Sequence, residues 1–237
     1  MKNFSNRYIF FFSTIMVVIV ALFLAFAATS LKPYQERNIE IEKMQNILAA
    51  LNIRVTRQEA ENLYVQYITD SYIVNYTGEK VTGFDAFKVD MKKEMAKPLK
   101  ERMLPVYVAT LDDSSHSVVV PLRGKGLWGP IWGYIAFRED MNTIVGSMFD
   151  HQGETPGLGA EISLPFFQEQ FIGKKIFDEK NSFISIKVMK GGASPGNLYE
   201  VDGISGGTIT SKGLEAMIDT CLSAYTAYFI TNSKPNN

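Results

Sequence analysis

Asp202-Gly203-Ile204-Ser205-Gly206-Gly207-Thr208-Ile209-Thr210-Ser211 is a glycine turn that runs into a segment with Leu214, Met217, Ile218, Cys221, Leu222, Tyr225 and Phe229 at helical spacing. A helix over Ser211–Phe229 decides the fold class, because the segments ahead of it read as strands. Val106–Thr110, Ser117–Leu122, Ile131–Phe137 and Ile144–Phe149 are β-like runs parted by Gly, Pro and Asp turn signals. Phe183–Met189 is a further strand candidate, and Leu164–Phe171 a short apolar helix. An all-β chain has no place for the closing helix, so the expected class is α+β.

Further toward the N-terminus the pattern turns helical. Tyr72–Tyr76 alternates as a strand and stops at Gly78, and Asp85–Met95 follows as a helix with a charged face. Thr56 with Glu59 forms a capping-box pattern that opens a helix through Tyr64 and Tyr67. Glu36–Leu51 is amphipathic, with Ile41, Met44, Ile47, Leu48 and Leu51 on one face. Asn232–Asn237 is expected to be a frayed tail.

From Tyr8 to Leu31 no residue is charged. As a helix this run reaches about 36 Å, against a hydrocarbon core of about 30 Å. Ala25-Phe26-Ala27 resembles a signal cleavage site, but signal cores run about 7–15 residues, so a retained anchor is expected. Lys2 and Arg7 precede the run while Lys32, Arg37 and Lys43 follow it, and this balance leaves the topology undecided. The expected organisation is a short N-terminus over 1–7, a transmembrane helix over 8–31, a membrane-proximal helical segment of the soluble domain over 32–100, and the rest of one α+β domain over 101–231.

Composition narrows the chemistry. The 237 residues carry 24 Lys+Arg against 25 Asp+Glu, without the basic footprint of a nucleic-acid binder. One cysteine, Cys221, excludes an internal disulfide and an all-cysteine metal site, and two histidines, His116 and His151, argue against a multi-histidine centre. No metal site is expected. Chemistry is left to hydroxyls, carboxylates or a bound cofactor.

Three segments have that capacity. In Asp202–Ser211 the turn aims backbone N–H groups and the positive end of a helix at one spot, which suits a phosphate; plain capping by Ser or Thr is the alternative. The same residues spell Gly203-x-Ser205-x-Gly207, a nucleophile-elbow pattern. No histidine follows Ser205, but a hydrolase with the chain order His116, Asp150, Ser205 stays open. His151–Ala160 holds a Pro156-Gly157 turn pair and reads as a surface turn or as a loop fit to approach a planar ring. Gly124-Lys125-Gly126-Leu127-Trp128-Gly129-Pro130 sets a Trp among glycines, for packing or as a cofactor wall.

Together these segments resemble the FMN-binding domain family. Asp202–Thr208 is similar to its flavinylation motif, Asp-x-x-Ser/Thr-Gly-Ala-Thr, whose last threonine carries FMN through a phosphoester installed by a separate flavin transferase. The matching position is Thr208, and Gly207 stands where the family usually has alanine. Glu-Thr-Pro-Gly-Leu-Gly over 154–159 resembles a second signature, which implies that Glu154, Thr155, Gly157 and Leu158 line the flavin. Gly124–Gly129 resembles a third, Gly-x-Gly-Leu-Trp-Gly, and implies the same for Trp128. The resemblance also puts Ser205, Gly206, Gly207 and Thr210 around the cofactor without giving them the bond.

The family includes flavin subunits of two membrane complexes, the sodium-pumping NADH:quinone reductase and the Rnf ferredoxin:NAD oxidoreductase, where the counterpart is the G subunit. The segment after the span looks closer to the sodium pump. The resemblance implies a single-pass protein of the bacterial inner membrane with a cytoplasmic N-terminus and a periplasmic domain. It would be an electron-transfer subunit of a translocase, not catalytic alone, taking electrons from one partner's redox centre and passing them to the flavin of a B-type subunit. Membrane iron–sulfur subunits are further implied partners, and the reaction is coupled to sodium export. The chain has no Gly-x-Gly-x-x-Gly after a strand and no cysteine cluster, which places NADH oxidation on other subunits. No carboxylate lies within Tyr8–Leu31, which puts the ion path elsewhere. A cofactor-free interaction domain is the remaining alternative.

Overall fold

The four strand runs pair as neighbours in the computed structural model, which describes residues 5–233. β1 (Ile68–Val74), β2 (Lys80–Val81), β3 (Leu104–Thr110), β4 (His116–Lys125), β5 (Pro130–Arg138) and β6 (Ile144–His151) form one antiparallel sheet of order β2-β1-β3-β4-β5-β6. Alternation along the strands sends Val118, Val120, Leu122, Ile131, Ile135 and Phe137 to one face, and Val119, Tyr134 and Ala136 to the other. Both faces are covered, so the central strands read as near-continuous apolar runs. Leu214, Met217, Ile218 and Leu222 of the C-terminal helix pack on the first face. Ile47, Ala50 and Leu51 pack on the second.

The chain divides into two units, Met1–Lys43 and Met44–Asn237. Within the first unit, helix α1 (Asn6–Ala50) carries the exposed uncharged run through Leu31 and then a charged stretch from Lys32; the helix is long and apolar enough to cross a membrane. The span and the amphipathic helix expected separately are thus one helix. Pro33 lies inside it and removes one backbone donor, the one that would bond the carbonyl of Thr29. Residues 1–4 of the expected N-terminal segment and 234–237 of the expected tail lie outside the described residues, while Asn232 closes the last helix.

Local side chains redraw other boundaries. Glu59 Oε2 accepts the Thr56 amide at 3.0 Å and its hydroxyl at 2.7 Å, ahead of α2 (Ala60–Tyr67). Asp85–Met95 is not one helix. Asp85 and Asp90 accept the amides of Phe87 and Lys92, each at 2.9 Å, so a 3-10 turn (Ala86–Lys88) is separate from α3 (Met91–Met95). Leu164–Phe171 becomes α4 (Pro165–Gln168) and a 3-10 turn, Glu169–Phe171. Of Phe183–Met189 only β7 (Lys187–Met189) is a strand, and it pairs in parallel with β8 (Glu200–Asp202). The closing helix is two, α5 (Thr208–Ala224) and α6 (Thr226–Asn232), parted at Tyr225, whose hydroxyl donates to the carbonyl of Pro105 at 2.9 Å.

Candidate functional site

α5 starts at Thr208, with Gly207 as its N-cap, and no side chain among the described residues caps it. The amides of its first turn and the positive end of its dipole are therefore open to a ligand. Gly206 precedes it with φ +74°, and a Cβ there would fall 2.5 Å from Leu158 Cδ2. The left-handed backbone favours glycine at this position, while the Leu158 tip can move aside.

Three hydroxyls sit on the first turn, in different settings. Thr208 is exposed, whereas Thr210 and Ser211 are buried. Ser211 Oγ accepts the amide of Ile204 at 3.0 Å. Thr208 borders a cleft of about 400 Å³ shared with Lys190, Ser205, Gly206, Ser211 and Lys212. Its lining contains two ammonium groups and no carboxylate. Lys212 also pairs with Glu215 at 3.1 Å, and Glu215 accepts the amide of Val188 at 2.7 Å, which ties α5 to β7.

The Glu154 carboxylate joins the three sequence segments. It is 4% exposed. Oε2 accepts the Thr210 hydroxyl at 2.5 Å, and Oε1 accepts the Trp128 amide at 2.9 Å. The amides of Leu127 and Gly129 also point at it. Burial pushes this acid up, but the Thr210 hydroxyl and the loop amides outweigh that and hold its pKa below the ordinary 4.5. The glycines of two signatures follow from the same group. A Cβ on Gly126 would lie 2.5 Å from Glu154 Oε1, and one on Gly159 would collide with Thr210 Oγ1.

The other expected residues surround this junction. Thr155 and Gly157 are exposed and shape the turn: the Thr155 carbonyl accepts the amides of Leu158 and Ala160 at 3.1 and 3.2 Å, and Gly157 has φ +76°. Trp128 and Leu158 leave their side chains 69% and 41% exposed although their backbones are fixed. Ile209, 60% exposed beside Thr208, was not anticipated; an apolar residue off the buried stripe of α5 is its only sequence signal. Lys190 and Lys212 had no signal, since only the fold brings them to one cleft.

The hydrolase arrangement does not form. His116 lies at the start of β4 and bonds Thr110 at 3.0 Å. Asp150 pairs with Trp132 near the opposite end of the sheet, beside the Lys125–Pro130 turn. Trp132 pairs in turn with Arg123, seven residues along β4 from His116, a separation of about 23 Å. His116 and Asp150 therefore form no pair, and the order His116, Asp150, Ser205 builds no triad.

The same geometry fits an FMN. An uncapped helix end with two ammonium groups suits its phosphate, the exposed Trp128, Leu158 and Ile209 suit its ring, and the cleft volume lies in the range of small-molecule sites.

Comparison with known proteins agrees. Residues 126–223 match the family described as FMN-binding domain. The C subunit of the Na(+)-translocating NADH-quinone reductase of Vibrio vulnificus is 33% identical over 218 residues, covering 85% of each chain. The crystal structure of the same subunit from Parabacteroides distasonis is 45% identical, with a TM-score of 0.78 over 87% of this chain and 98% of its own. NqrC of Shewanella oneidensis is 27% identical, with a TM-score of 0.71 over 82% of this chain and 98% of its own.

Proposed function

The chain belongs to the NqrC family, the C subunits of Na(+)-translocating NADH-quinone reductases, and from that premise we propose that it carries FMN as a phosphoester on Thr208. As a member it is an FMN electron-transfer subunit of that complex rather than an enzyme alone. The observation that carries the attachment is the exposed Thr208 hydroxyl at an uncapped helix end, on a cleft with two ammonium groups.

Bound, the FMN supplies one- and two-electron redox chemistry at its ring. The protein supplies position. The first-turn amides of α5, with Lys190 and Lys212, hold the phosphate charge, and Thr208 Oγ provides the ester oxygen. Ser205, Gly206 and Gly207 form the turn that leaves room for it, while Trp128, Leu158 and Ile209 offer apolar contact to the ring. Thr155 and Gly157 set the course of the loop that carries Leu158. Glu154 and Thr210 act from behind these loops.

Residues 8–31 form the membrane span, with 1–7 cytoplasmic; 32–100 and 101–231 form the periplasmic part, in the bacterial inner membrane. The partners are other subunits of the complex, membrane iron–sulfur subunits among them; electrons enter from a partner's redox centre and leave to a B-type flavin subunit, coupled to sodium export. A flavin transferase installs the FMN. The uncharged run ahead of Lys32 supports the anchor, and the family supports the rest.

The test is fluorescence on a denaturing gel of the full chain co-produced with a flavin transferase. The expected band is yellow-fluorescent at the mass of the protein and is lost in Thr208→Val, which keeps the β-branched shape. A non-fluorescent wild type with the transferase active on a control protein would contradict the proposal.

A further inference from the structure

We infer that Glu154 is a positioning residue for attachment: by the reach of its carboxylate it sets the first turn of α5 so that Thr208 is the hydroxyl presented, an inference that rests on the phosphoester proposed above. Its position follows from contacts rather than from any touch on the cofactor. One oxygen is fixed by the 127–129 loop and the other by Thr210, two residues beyond Thr208. Three segments remote in sequence therefore share one buried group. Gly126 and Gly159 clear the space it occupies.

Two consequences fall on the acceptor. Thr210 has its hydroxyl proton committed inward, so it does not compete with Thr208. The helix start is also fixed relative to the 157–159 turn, since Gly159 packs against Thr210 and Leu158 against Gly206. Ester formation joins Thr208 Oγ1 to the flavin phosphorus of a flavin dinucleotide as its pyrophosphate bond breaks, a nucleoside monophosphate leaves and the hydroxyl proton passes to a base of the transferase. This needs the threonine oxygen in line with that phosphoryl group, and a displacement of about 1 Å can cost up to about 100-fold in rate. Reach matters more than charge in this account. A glutamine keeps the length, accepts from the 127–129 amides through its oxygen and donates to Thr210 Oγ1 through its nitrogen. An aspartate keeps the charge but is one methylene too short to serve both sides.

The experiment measures the initial rate of covalent flavin incorporation into the full chain in detergent, with excess flavin dinucleotide as donor and purified transferase varied up to saturation, for wild type, Glu154→Gln and Glu154→Asp. Each is compared per folded molecule, below its own melting temperature. Glu154→Gln is expected within about threefold of wild type, and Glu154→Asp at least about tenfold slower, with the Michaelis constant for the transferase little changed. Should Glu154→Asp fail to fold, Glu154→Gln decides alone, because a glutamine variant tenfold slower would assign the effect to charge and overturn the inference. A folded Glu154→Asp as fast as wild type also overturns it. A wild type that takes up no covalent flavin overturns the earlier reading instead, so the two failures are distinct.

Discussion

Glu154 links the site to the stability of the fold. Its folded pKa lies below the ordinary 4.5, so the ionised form adds stability above that value; the addition fades as pH falls through 4.5 to the folded pKa. The melting temperature of wild type is therefore expected to exceed that of Glu154→Gln by a constant margin above about pH 6, and the margin should shrink as pH falls below 4.5. A margin independent of pH would show that the carboxylate gains nothing from its partners. Glu154→Ala strands the amides of the 127–129 loop and should cost about 1–3 kcal/mol, read by denaturant unfolding. Cys221 contrasts with it. Burial pushes its thiol up to about 11, so native protein at about pH 8 should resist alkylation and unfolded protein should not. Much of the candidate site rests on sequence at this scale: Thr208, Trp128, Glu154 and Leu158 all stand in recognisable spacings. The role of Glu154 was not, because spacing does not reveal that a carboxylate 54 positions before Thr208 turns inward to Thr210.

At the scale of elements, α5 lies close against β4. A Cβ on Gly213 would collide with the carbonyl oxygen of Lys125, and one on Gly124 would lie 2.6 Å from Met217 Cβ. Gly213→Ala gains about 1 kcal/mol of helix propensity but drives a methyl into backbone that cannot yield. A net loss of about 1–2 kcal/mol is expected, a fall of roughly 3–8 °C in melting temperature by circular dichroism. A melting temperature at or above wild type would show that the helix shifts freely on the sheet. Five of the six strands of the sheet and the stripe on α5 were legible because both rest on periodicity; β1 starts at Ile68 rather than Tyr72 and stops at Val74, and β2, two residues long, is too short to show a period. The break at Tyr225 was not, since its hydroxyl anchors to Pro105, 120 residues away. Nor was β8, whose three residues pair only through the fold that brings β7 beside them.

At the scale of the molecule, one unit carries the exposed uncharged run of α1 through Leu31 and the other is a domain that begins at Met44. That domain keeps Ile47, Leu48, Ala50 and Leu51, all buried. Residues 44–237 are therefore expected to stay monomeric without detergent and to unfold cooperatively, as judged by light scattering and calorimetry. Starting instead at Asn52 removes three large core side chains at about 1.5–3 kcal/mol each, and should lower the melting temperature by about 10 °C or more. The account's central claim is that the domain is built to carry FMN on one threonine. Its most direct measurement is fragmentation mass spectrometry of the tryptic peptide 191–212, which contains Ser205, Thr208, Thr210 and Ser211, from the full chain made with a flavin transferase. The account predicts one FMN on that peptide, localised to Thr208; an unmodified peptide, or FMN localised to Thr210 or Ser205, would contradict it.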